Sequence, residues 1–548
     1  MTIIEYIKKK IYNGNKAIQV EPKDVDRLTF INNDGEIMRL RTKEFDLWYE
    51  GDGDELLNFY TYNEVIGYHF EPFYWRNKRN YFWAIGATES DIKRTHSGQP
   101  RNIVDTLVNI IRFPMITAGS GAVKDSAVEK NLKKILNETG LKEIYKQEQM
   151  PLTLVEGWGC FKINWDKDDS EYPQVTYYKA DNVDFVYVNS KIIGAIFKDY
   201  YSTEDGKEYI LCESRRLEKR KEEDGTVICV LVIENDLFER TGGENIKAVD
   251  LDTLPELRGT EKYIEIGPCN FLLAVPSIIF KNTSNRKGYG RSIFTGKIDL
   301  FDDLDQTLSQ SSNSVRKSTP IEYFNSEFLE RDKNGMPIQP KAYDRKYSIY
   351  NGQRDANGAV SGEPVTVTQP VLNLEQYNSE AQKILLQIVN GIMSPATLGI
   401  DIAKKDNAEA QREKEKVTIF TRNAIIDTET EILKDLCNQL LCAYEFMTKG
   451  VITVKDYDVG VKFSEFADDS FENKVETLGA ALDSQNISPE MYLDKLYNGQ
   501  LSKKEYDREY QFLIENNIEP RKQGFAGMAG GGQNVEGLLA NMMGDGDD

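Results

Sequence analysis

The chain has 548 residues, which corresponds to three or four domains at roughly 150 residues each and excludes a single small module. Its 89 acidic and 68 basic side chains leave a formal net charge of −21, which excludes a protein that coats nucleic acid with a basic surface. Apolar residues make up 40% of the chain, too many for a disordered protein. The composition therefore predicts an acidic globular protein whose contacts with DNA are local.

Membrane and secretory proteins are also excluded at this level. The longest clear apolar run, Val227–Ile233, is far shorter than the roughly 18 to 20 residues of a membrane-spanning helix. The first ten residues place their lysines after a short apolar stretch, the reverse of a secretory signal. The six cysteines show no CxxC spacing, so we expect reduced thiols, no membrane partner and assembly in the cytoplasm where the chain is made.

Helical patterns dominate the first third of the chain, and strands dominate the middle. Apolar residues recur at spacings of three and four around 3–11, 103–111 and 128–136. From Phe161 onward, apolar residues recur at every second position, which is the pattern of a β-strand. Strand-like runs then follow at 174–178, 184–188, 191–200, 208–213, 226–233 and 271–280.

Two long helices are predicted on either side of a small β insert. The segment from Lys297 to Thr319 lacks Pro and Gly and carries one apolar stripe among Ser, Gln and Asn residues, so we expect it to pack beside copies of itself or to face water rather than its own subunit's core. Residues 320–370 are rich in turns such as Asn334-Gly335. A second helix ends near Gly391 and Pro395, and a loop and a third long helix follow.

The sequence contains few of the residue patterns that form catalytic or cofactor sites. His69 and His96 are the only histidines, too few for a histidine-based zinc site or a Ser-His-Asp triad. The run Gly290–Lys297 has five residues between its glycines where a phosphate-binding loop has four, and Ile298 stands where Ser or Thr would hold magnesium. We expect no catalytic residue, no metal and no cofactor, and we predict that the protein is not an enzyme.

Charged and aromatic clusters leave some alternatives open. Asp299, Asp302, Asp303 and Asp305 could hold magnesium, although an acidic first turn also suits the positive end of a helix dipole, which is the interpretation that we favour. Five basic residues and no acid lie in 281–297, and they could bind phosphate or pair with an acidic neighbour. The aromatic stretch 59–83 could stack on bases, but core packing is favoured.

The order of several segments resembles the portal proteins of tailed bacteriophages over roughly residues 40 to 515. The resemblance is strongest in Val275-Pro-Ser-Ile-Ile-Phe-Lys-Asn, followed by Gly288-Tyr-Gly-Arg-Ser-Ile-Phe and by Leu300-Phe-Asp-Asp-Leu-Asp-Gln-Thr-Leu-Ser-Gln-Ser. Further segments are Trp48–Tyr60, Leu154–Trp165, Pro395–Gly399 and Asn407–Arg412. No segment is diagnostic alone, whereas their order around a polar helix, a β insert and a second helix is fairly specific.

The resemblance implies an α+β portal fold with long stem helices, a β-rich wing, a small β-containing clip insert and a helical C-terminal crown. It divides the chain into an N-terminal helical arm (1–59), the first part of the wing (60–285), stem helix 1 (286–319), the clip (320–370), stem helix 2 (371–392), the tunnel loop (393–407), the long wing helix (408–447), the crown (448–520) and a disordered Gly-rich acidic tail (521–548).

The function implied by the resemblance is a ring of twelve subunits at one capsid vertex, the channel for genome packaging and DNA ejection. The implied partners are further copies of the chain, the terminase large subunit, a head-completion adaptor, the major capsid and scaffolding proteins, and double-stranded DNA. The implied location is the virion, with assembly in the host cytoplasm. The alternatives are a magnesium-dependent nucleic-acid-processing enzyme that uses Asp299, Asp302 and Asp303, and a non-portal ring-forming virion scaffold protein.

Charged residues of the stem and tunnel loop are the site residues implied by this resemblance. Lys404, Lys405 and Asp406 lie in the tunnel loop, and the two lysines are our choice for contacts with passing DNA. The basic residues of the stem are Arg291, Lys297, Arg316 and Lys317, and the acidic ones are Asp299, Asp302, Asp303 and Asp305. A mainly negative channel would repel phosphates, so that the duplex slides without sticking.

Overall fold

The structure is a computed structural model with two compact units, residues 1–463 and 464–548. It describes residues 38, 40–62, 81–84, 92–118, 127–165, 170–188, 191–221, 227–241, 245–282, 288–338, 346–354, 356–369, 371–400, 408–450, 457–464, 471–484, 487–497 and 504–515. No helix among these residues is long and apolar enough to cross a membrane.

The first unit contains both helices and sheets. The helices of its described part are α1 (40–50), α2 (Gly53–Tyr62), α3 (Gln99–Ile111), α4 (Ala127–Glu138), α5 (Leu141–Ile144), α6 (Met150–Glu156), α7 (Ile298–Lys317), α8 (Leu374–Val389) and α9 (Ala408–Lys449). A π-helical turn, Tyr145–Gln149, joins α5 to α6.

The strands are β1 (Met115–Ala118), β2 (Gly159–Asn164), β3 (Gln174–Lys179), β4 (Val183–Val188), β5 (Lys191–Ser202), β6 (Glu208–Lys221), β7 (Val227–Thr241), β8 (Asn245–Val249), β9 (Tyr263–Ile266), β10 (Ala274–Ser277), β11 (Ile321–Asn325), β12 (Lys346–Tyr350), β13 (Gln353–Arg354), β14 (Val360–Ser361), β15 (Val365–Thr368) and β16 (Val459–Lys462). The largest sheet is antiparallel in the order β4-β5-β6-β7-β8, with β9 beside β7. A three-stranded antiparallel sheet has the order β10-β2-β3, and β1 pairs with β16.

A buried charge cluster connects the two main sheets. Glu213 on β6 accepts from Arg215 at 2.6 Å and from Lys162 on β2 at 2.8 Å. Arg215 also donates to the backbone carbonyl oxygens of Ile163 and Leu273. The cluster satisfies every charge that it buries with a partner, which is the condition under which buried ions are tolerated. One hydrophobic core, which includes Phe161, Phe197 and Leu436, runs between these sheets and the helices.

The helices α7 and α8 form an antiparallel pair with the insert at one end. Lys297, before the start of α7, contacts the end of α8, and Ser314 near the end of α7 contacts Tyr377 near the start of α8. Between them β11 pairs in parallel with β12 and antiparallel with β15, and β13 and β14 form a small hairpin. The helix, insert, helix order is therefore present, with the insert at the far end of the pair.

The second unit consists of helices in its described part. Its helices are α10 (Phe471–Asp483), α11 (Pro489–Leu496) and α12 (504–515). Leu482, Tyr492, Leu493 and Leu496 are buried, and Tyr506, Tyr510 and Leu513 pack against them. The Ser488 hydroxyl accepts from the Met491 amide and caps the start of α11.

The mixed α+β class predicted from sequence is confirmed. The predicted strands lie within or close to observed ones, although β6 extends to Lys221 and β7 to Thr241, well beyond the predicted 213 and 233. Residues 293–297 form turns rather than helix, so α7 has 20 residues, about 30 Å at roughly 1.5 Å per residue. The strand β16 lies within the predicted crown segment 448–520 but pairs with β1 in the first unit.

Candidate site along the paired helices and their insert

The four acidic residues at the start of α7 separate into an exposed and a buried pair. Asp299 and Asp303 are exposed, while Asp302 and Asp305 are buried on the side of the helix that faces residues 81–84 and 92–98, which we call the strap. The spacing 302, 305, 309 places Asp302, Asp305 and Ser309 on one helix face. Asp299, Asp302 and Asp303, the carboxylates of the possible magnesium site, are therefore divided between solvent and the core.

The buried pair holds the strap by accepting hydrogen bonds from its backbone. The Phe82 amide donates to Asp302 Oδ2 at 2.6 Å, and the Ser97 amide donates to Asp305 Oδ1 at 2.8 Å. Further along the helix, the Thr95 amide donates to Ser309 Oγ at 2.8 Å. Buried backbone N–H groups need acceptors, and α7 supplies one at each of three turns.

Side chains of the strap add to this attachment. His96 Nδ1 lies 2.8 Å from Asp305 Oδ2, and the Tyr81 hydroxyl donates to Asp299 Oδ1 at 2.6 Å. The His96 ring also packs against Trp48, which in turn contacts Phe301 of α7. His96, Asp305 and Trp48 thus fasten α1, the strap and α7 together.

This arrangement corrects the expectation that so polar a helix avoids the core of its own subunit. Ile298, Phe301 and Leu304 are buried together with the polar side chains that hold the strap. In contrast, Ser312, Val315 and the basic end of the helix are exposed. Asp302, Asp305 and Ser309 are buried polar residues because they accept from backbone amides, while the last turn of the helix faces outward.

Burial shifts the pKa of Asp302. Removal from water, together with the neighbouring Asp305 and Asp303 carboxylates, raises its pKa to about 7, although the Phe82 and Trp83 amides act in the opposite direction. The described residues contain no group of three or more His, Cys, Asp or Glu side chains placed to hold a metal ion. The structure therefore uses Asp302 and Asp305 as acceptors for the strap.

Lys297 has a partner that sequence reasoning did not foresee. Its Nζ donates to the backbone carbonyl oxygens of Gln387 at 2.7 Å and Asn390 at 3.0 Å, at the end of α8. The last carbonyls of a helix lack intrahelical partners, and a cation there also suits the helix dipole. Burial lowers the pKa of this lysine. The contact ties the base of α8 to the base of α7.

The remaining basic residues of the predicted stem lie at the surface. The exposed Arg291 guanidinium stacks over the Phe280 ring at 5.7 Å. Arg316 donates to Asn313 within α7, and Lys317 is exposed in the last turn. Lys404, Lys405 and Asp406 lie outside the described residues, as do His69 and the acidic tail 521–548. Of the predicted tunnel loop, Pro395–Leu398 forms a 3-10 turn that contacts Thr418 of α9 through Thr397.

Two segments that carry the resemblance lie in direct contact. The Ile293 amide donates to the Leu154 carbonyl oxygen, and the rings of Trp158 and Tyr289 meet edge to face. Gly290 packs so closely on Gly157 that a Cβ atom at position 290 would overlap the Gly157 carbonyl oxygen. This backbone approach explains why glycine stands at position 290.

Apolar side chains are exposed on the helix pair and on the insert. Among the described residues, more than half of the large hydrophobic side chains with high exposure lie between 315 and 386: Val315, Phe328, Met336, Ile338, Tyr350, Val365, Val367, Val371, Leu372 and Leu386. Val371 is 88% exposed and Val367 is 59% exposed. Apolar side chains that lie in water favour burial against a partner.

The aromatic stretch lies in the core where it is described. Phe59, Tyr60, Phe82 and Trp83 are all buried, as expected for core packing, and residues 63–80 lie outside the described part.

No protein-family model matches this chain, and no curated protein matches it in sequence. Any function must therefore be argued from the geometry of the paired helices and their insert.

Proposed function

We propose that this protein is the portal subunit of a tailed bacteriophage. Twelve copies would form a ring at one capsid vertex, through which terminase drives double-stranded DNA and through which the DNA later leaves. The observation that carries the proposal is the antiparallel pair α7 and α8, which is anchored at its base and holds a β insert at its far end. A rigid arm of this kind suits the wall of a channel.

Anchoring of the base supports a role in bearing load. The strap holds the first half of α7 through Asp302, Asp305 and Ser309, and Lys297 joins α7 to α8. In this proposal α7 and α8 are the stem, the insert 320–370 is the clip, and the larger sheets with α9 form the wing. Residues 448–520 would supply the crown, and 393–407 the tunnel loop.

The exposed apolar side chains support self-association. A single chain leaves Val367, Val371 and Leu372 in water, which is unfavourable at about 25 cal/mol for each Å² of apolar surface. Neighbouring copies in a ring would cover the same patch on every subunit by a repeated head-to-tail contact. The exposed faces of α7 and α8 would then lie between subunits or along the channel.

The charge supports passage of DNA rather than tight binding. Twelve copies at −21 each carry a formal charge of −252, which repels phosphates. We propose that Lys404 and Lys405 contact the DNA phosphates. Each contact contributes about 1 kcal/mol or less, because solvent and salt screen exposed charges. Replacing both with Glu should leave rings intact and reduce the DNA retained in filled heads. Normal retention would remove these lysines from the proposal.

The clip and crown would carry the protein partners. The insert lies at the channel exit in this proposal, where terminase and then the head-completion adaptor would dock, while the capsid and scaffolding proteins would contact the wing. Loops held by a rigid scaffold are common binding surfaces. Replacement of 332–358 by a Gly-Ser linker should abolish terminase and adaptor binding, and unchanged binding of both would place their docking surface elsewhere.

Electron microscopy of the purified full chain, with mass photometry, tests the ring directly. Rings of about twelve copies with a central opening are expected. A monomer that cleaves DNA only with a divalent cation would instead support the enzyme built on Asp299, Asp302 and Asp303, and closed rings without an open channel would support a scaffold protein. We favour the portal because Asp302 is buried as an acceptor for the strap.

A further inference from the structure

A chain of buried polar side chains crosses the core of the first unit from β3 to α9. The Tyr177 hydroxyl lies 2.6 Å from Thr153 Oγ1, and that oxygen lies 3.0 Å from Ser277 Oγ. Gln149 Nε2 then donates to Ser277 Oγ and to Glu429 Oε1, both at 2.8 Å. Gln149 and Glu429 are 0% exposed, so these bonds form without competition from bulk solvent.

At the α9 end of this series of hydrogen bonds, three polar atoms have no partner among the described residues. Gln149 Oε1, Glu429 Oε2 and the Tyr145 hydroxyl are buried and have no hydrogen-bond partner among the described residues. Tyr145 is 1% exposed. Each unsatisfied buried polar atom costs about 1 to 3 kcal/mol, so three of them on neighbouring side chains call for a partner.

The π-helical turn brings two of these side chains to the same place. Tyr145 and Gln149 are its first and last residues, and the Met150 amide donates to the Tyr145 carbonyl across the wider turn. Pro151, which follows, has no amide hydrogen and prevents an ordinary α-helical bond at this point. A π-helical turn has more residues per turn than an α-helix, and such turns are frequent at functional sites.

We propose that one water molecule is bound between the π-helical turn and α9, held by Gln149, Glu429 and Tyr145. It donates one hydrogen to Gln149 Oε1 and the other to Glu429 Oε2, and it accepts the hydrogen of the Tyr145 hydroxyl. Two donated bonds and one accepted bond match the three unsatisfied atoms, and three bonds are typical of buried water.

The charges around the site favour a neutral ligand over a cation. The Arg422 guanidinium, about two helical turns before Glu429 on α9, acts on Tyr145 by lowering its pKa, against the larger effects of burial and of Glu429. A positive charge is therefore already present near the site. Burial raises the pKa of Glu429 to about 7, opposed by the Gln149 bond. Water can donate to the carboxylate or accept from the carboxylic acid, so it satisfies either form.

The first test is a structure of the full chain at a resolution that shows ordered solvent. A single density peak within hydrogen-bond distance of all three oxygens is expected. An empty space, or a direct contact of Glu429 Oε2 with Gln149 Oε1 or the Tyr145 hydroxyl, would overturn the proposal.

The second test is the sign of a stability change. Tyr145→Phe removes the hydroxyl and keeps the edge-to-face contact of the ring with Phe113. If water is bound, Tm should fall by about 2 °C, as in the control Tyr60→Phe, whose hydroxyl donates to Glu44 and accepts from Trp48. An unchanged or higher Tm would show that the hydroxyl has no partner, and the proposal would fail.

Discussion

Lys297 Nζ lies 2.7 Å from the backbone carbonyl oxygen of Gln387, so the residue before α7 caps the end of α8. Ninety positions separate the two residues along the chain, and the whole insert lies between them. Because the lysine also reaches the Asn390 carbonyl, one side chain closes the base of the pair. The insert is joined to the rest of the first unit through this pair of helices.

Replacement of this lysine should loosen the base of the pair. Lys297→Met removes two charge-assisted bonds to helix carbonyls while it keeps a similar side-chain volume, and we expect a loss of about 1 kcal/mol. The exposed Lys317→Met is the matched control and should change little. Urea denaturation measures both. Equal losses for the two variants would contradict a specific role of Lys297.

The two acidic pairs of α7 should respond differently to truncation. Asp305→Ala leaves the Ser97 amide and His96 Nδ1 without their acceptor, and we expect a loss of about 3 kcal/mol. Asp303→Ala, two residues away and exposed, should cost less than about 0.5 kcal/mol. Thermal unfolding and protease sensitivity of the strap are the measurements. A small effect at both positions would show that the strap is held by other contacts.

The Glu213 cluster should make stability depend on acid. Burial alone would raise the pKa of Glu213, but Arg215 and Lys162 outweigh it and lower the pKa from 4.5 to about 2. The carboxylate therefore stabilises the fold fully above pH 4.5, and this contribution is lost as the pH falls from 4.5 to 2. At about 1.36 kcal/mol for each unit of pKa shift, this contribution to the free energy of unfolding amounts to about 3 kcal/mol.

Glu213→Gln should accordingly lower stability at pH 7 and flatten the stability profile between pH 4.5 and 2. The exposed Glu204→Gln is the control and should keep the original profile. Chemical denaturation at a series of pH values gives the slopes. A Glu213→Gln profile as steep as that of the parent chain would assign the acid sensitivity to other groups.

Close backbone packing at Gly290 should be intolerant of a single methyl group. Gly290→Ala places a Cβ against the Gly157 carbonyl, where backbone rather than a flexible side chain must move, and we expect a loss of about 3 kcal/mol. At Gly479, inside α10, a Cβ would meet nothing within 4 Å. Gly479→Ala should be neutral or stabilising by up to about 1 kcal/mol. Comparable Tm values for the two variants would contradict the observed contact.

An acidic side chain on the insert should weaken self-association. Val367→Asp introduces a charge into the exposed apolar surface of β15, so copies should dissociate at concentrations that keep the parent chain assembled. Val227→Asp, at a position with 61% exposure against 59% for Val367, is the matched control on the large sheet. Mass photometry over a dilution series reports the effect. Unchanged assembly of the Val367 variant would remove the insert from the subunit contact.

Local patterns allowed much of the fold to be predicted from the sequence. Strand alternation after Phe161, the long apolar stripe of α9 and the Asn-Gly turns of the insert are properties of neighbouring residues, and the structure contains the elements that they indicate. The end of α7 was likewise predicted within two residues. Its start was predicted within one residue by the pattern that begins at Lys297, whereas the start at 286 implied by the resemblance is too early, because Gly296 at φ +78° lies in a turn before Ile298.

The roles of the charged residues could not be predicted in the same way. Asp302 and Phe82 are 220 positions apart, and the amide of Phe82 gives no sign in the sequence that it needs an acceptor. Lys297 appeared to belong to a basic cluster, although its partners are main-chain carbonyls that every residue possesses. One sequence signal could have indicated buried acceptors. The polar residues 302, 305 and 309 recur at helical spacing on the face next to Phe301 and Leu304.

The pairing of β1 with β16 has a consequence for biosynthesis. Met115 lies opposite Lys462, so the second strand of this sheet reaches the ribosome exit almost 350 residues after the first. During translation the nascent chain must carry β1 without its partner strand while the other sheets of the first unit and α9 are still being made, and such edges invite aggregation. A chain interrupted before Val459 therefore lacks the partner strand of β1, and such a truncated product should require a chaperone to stay dispersed.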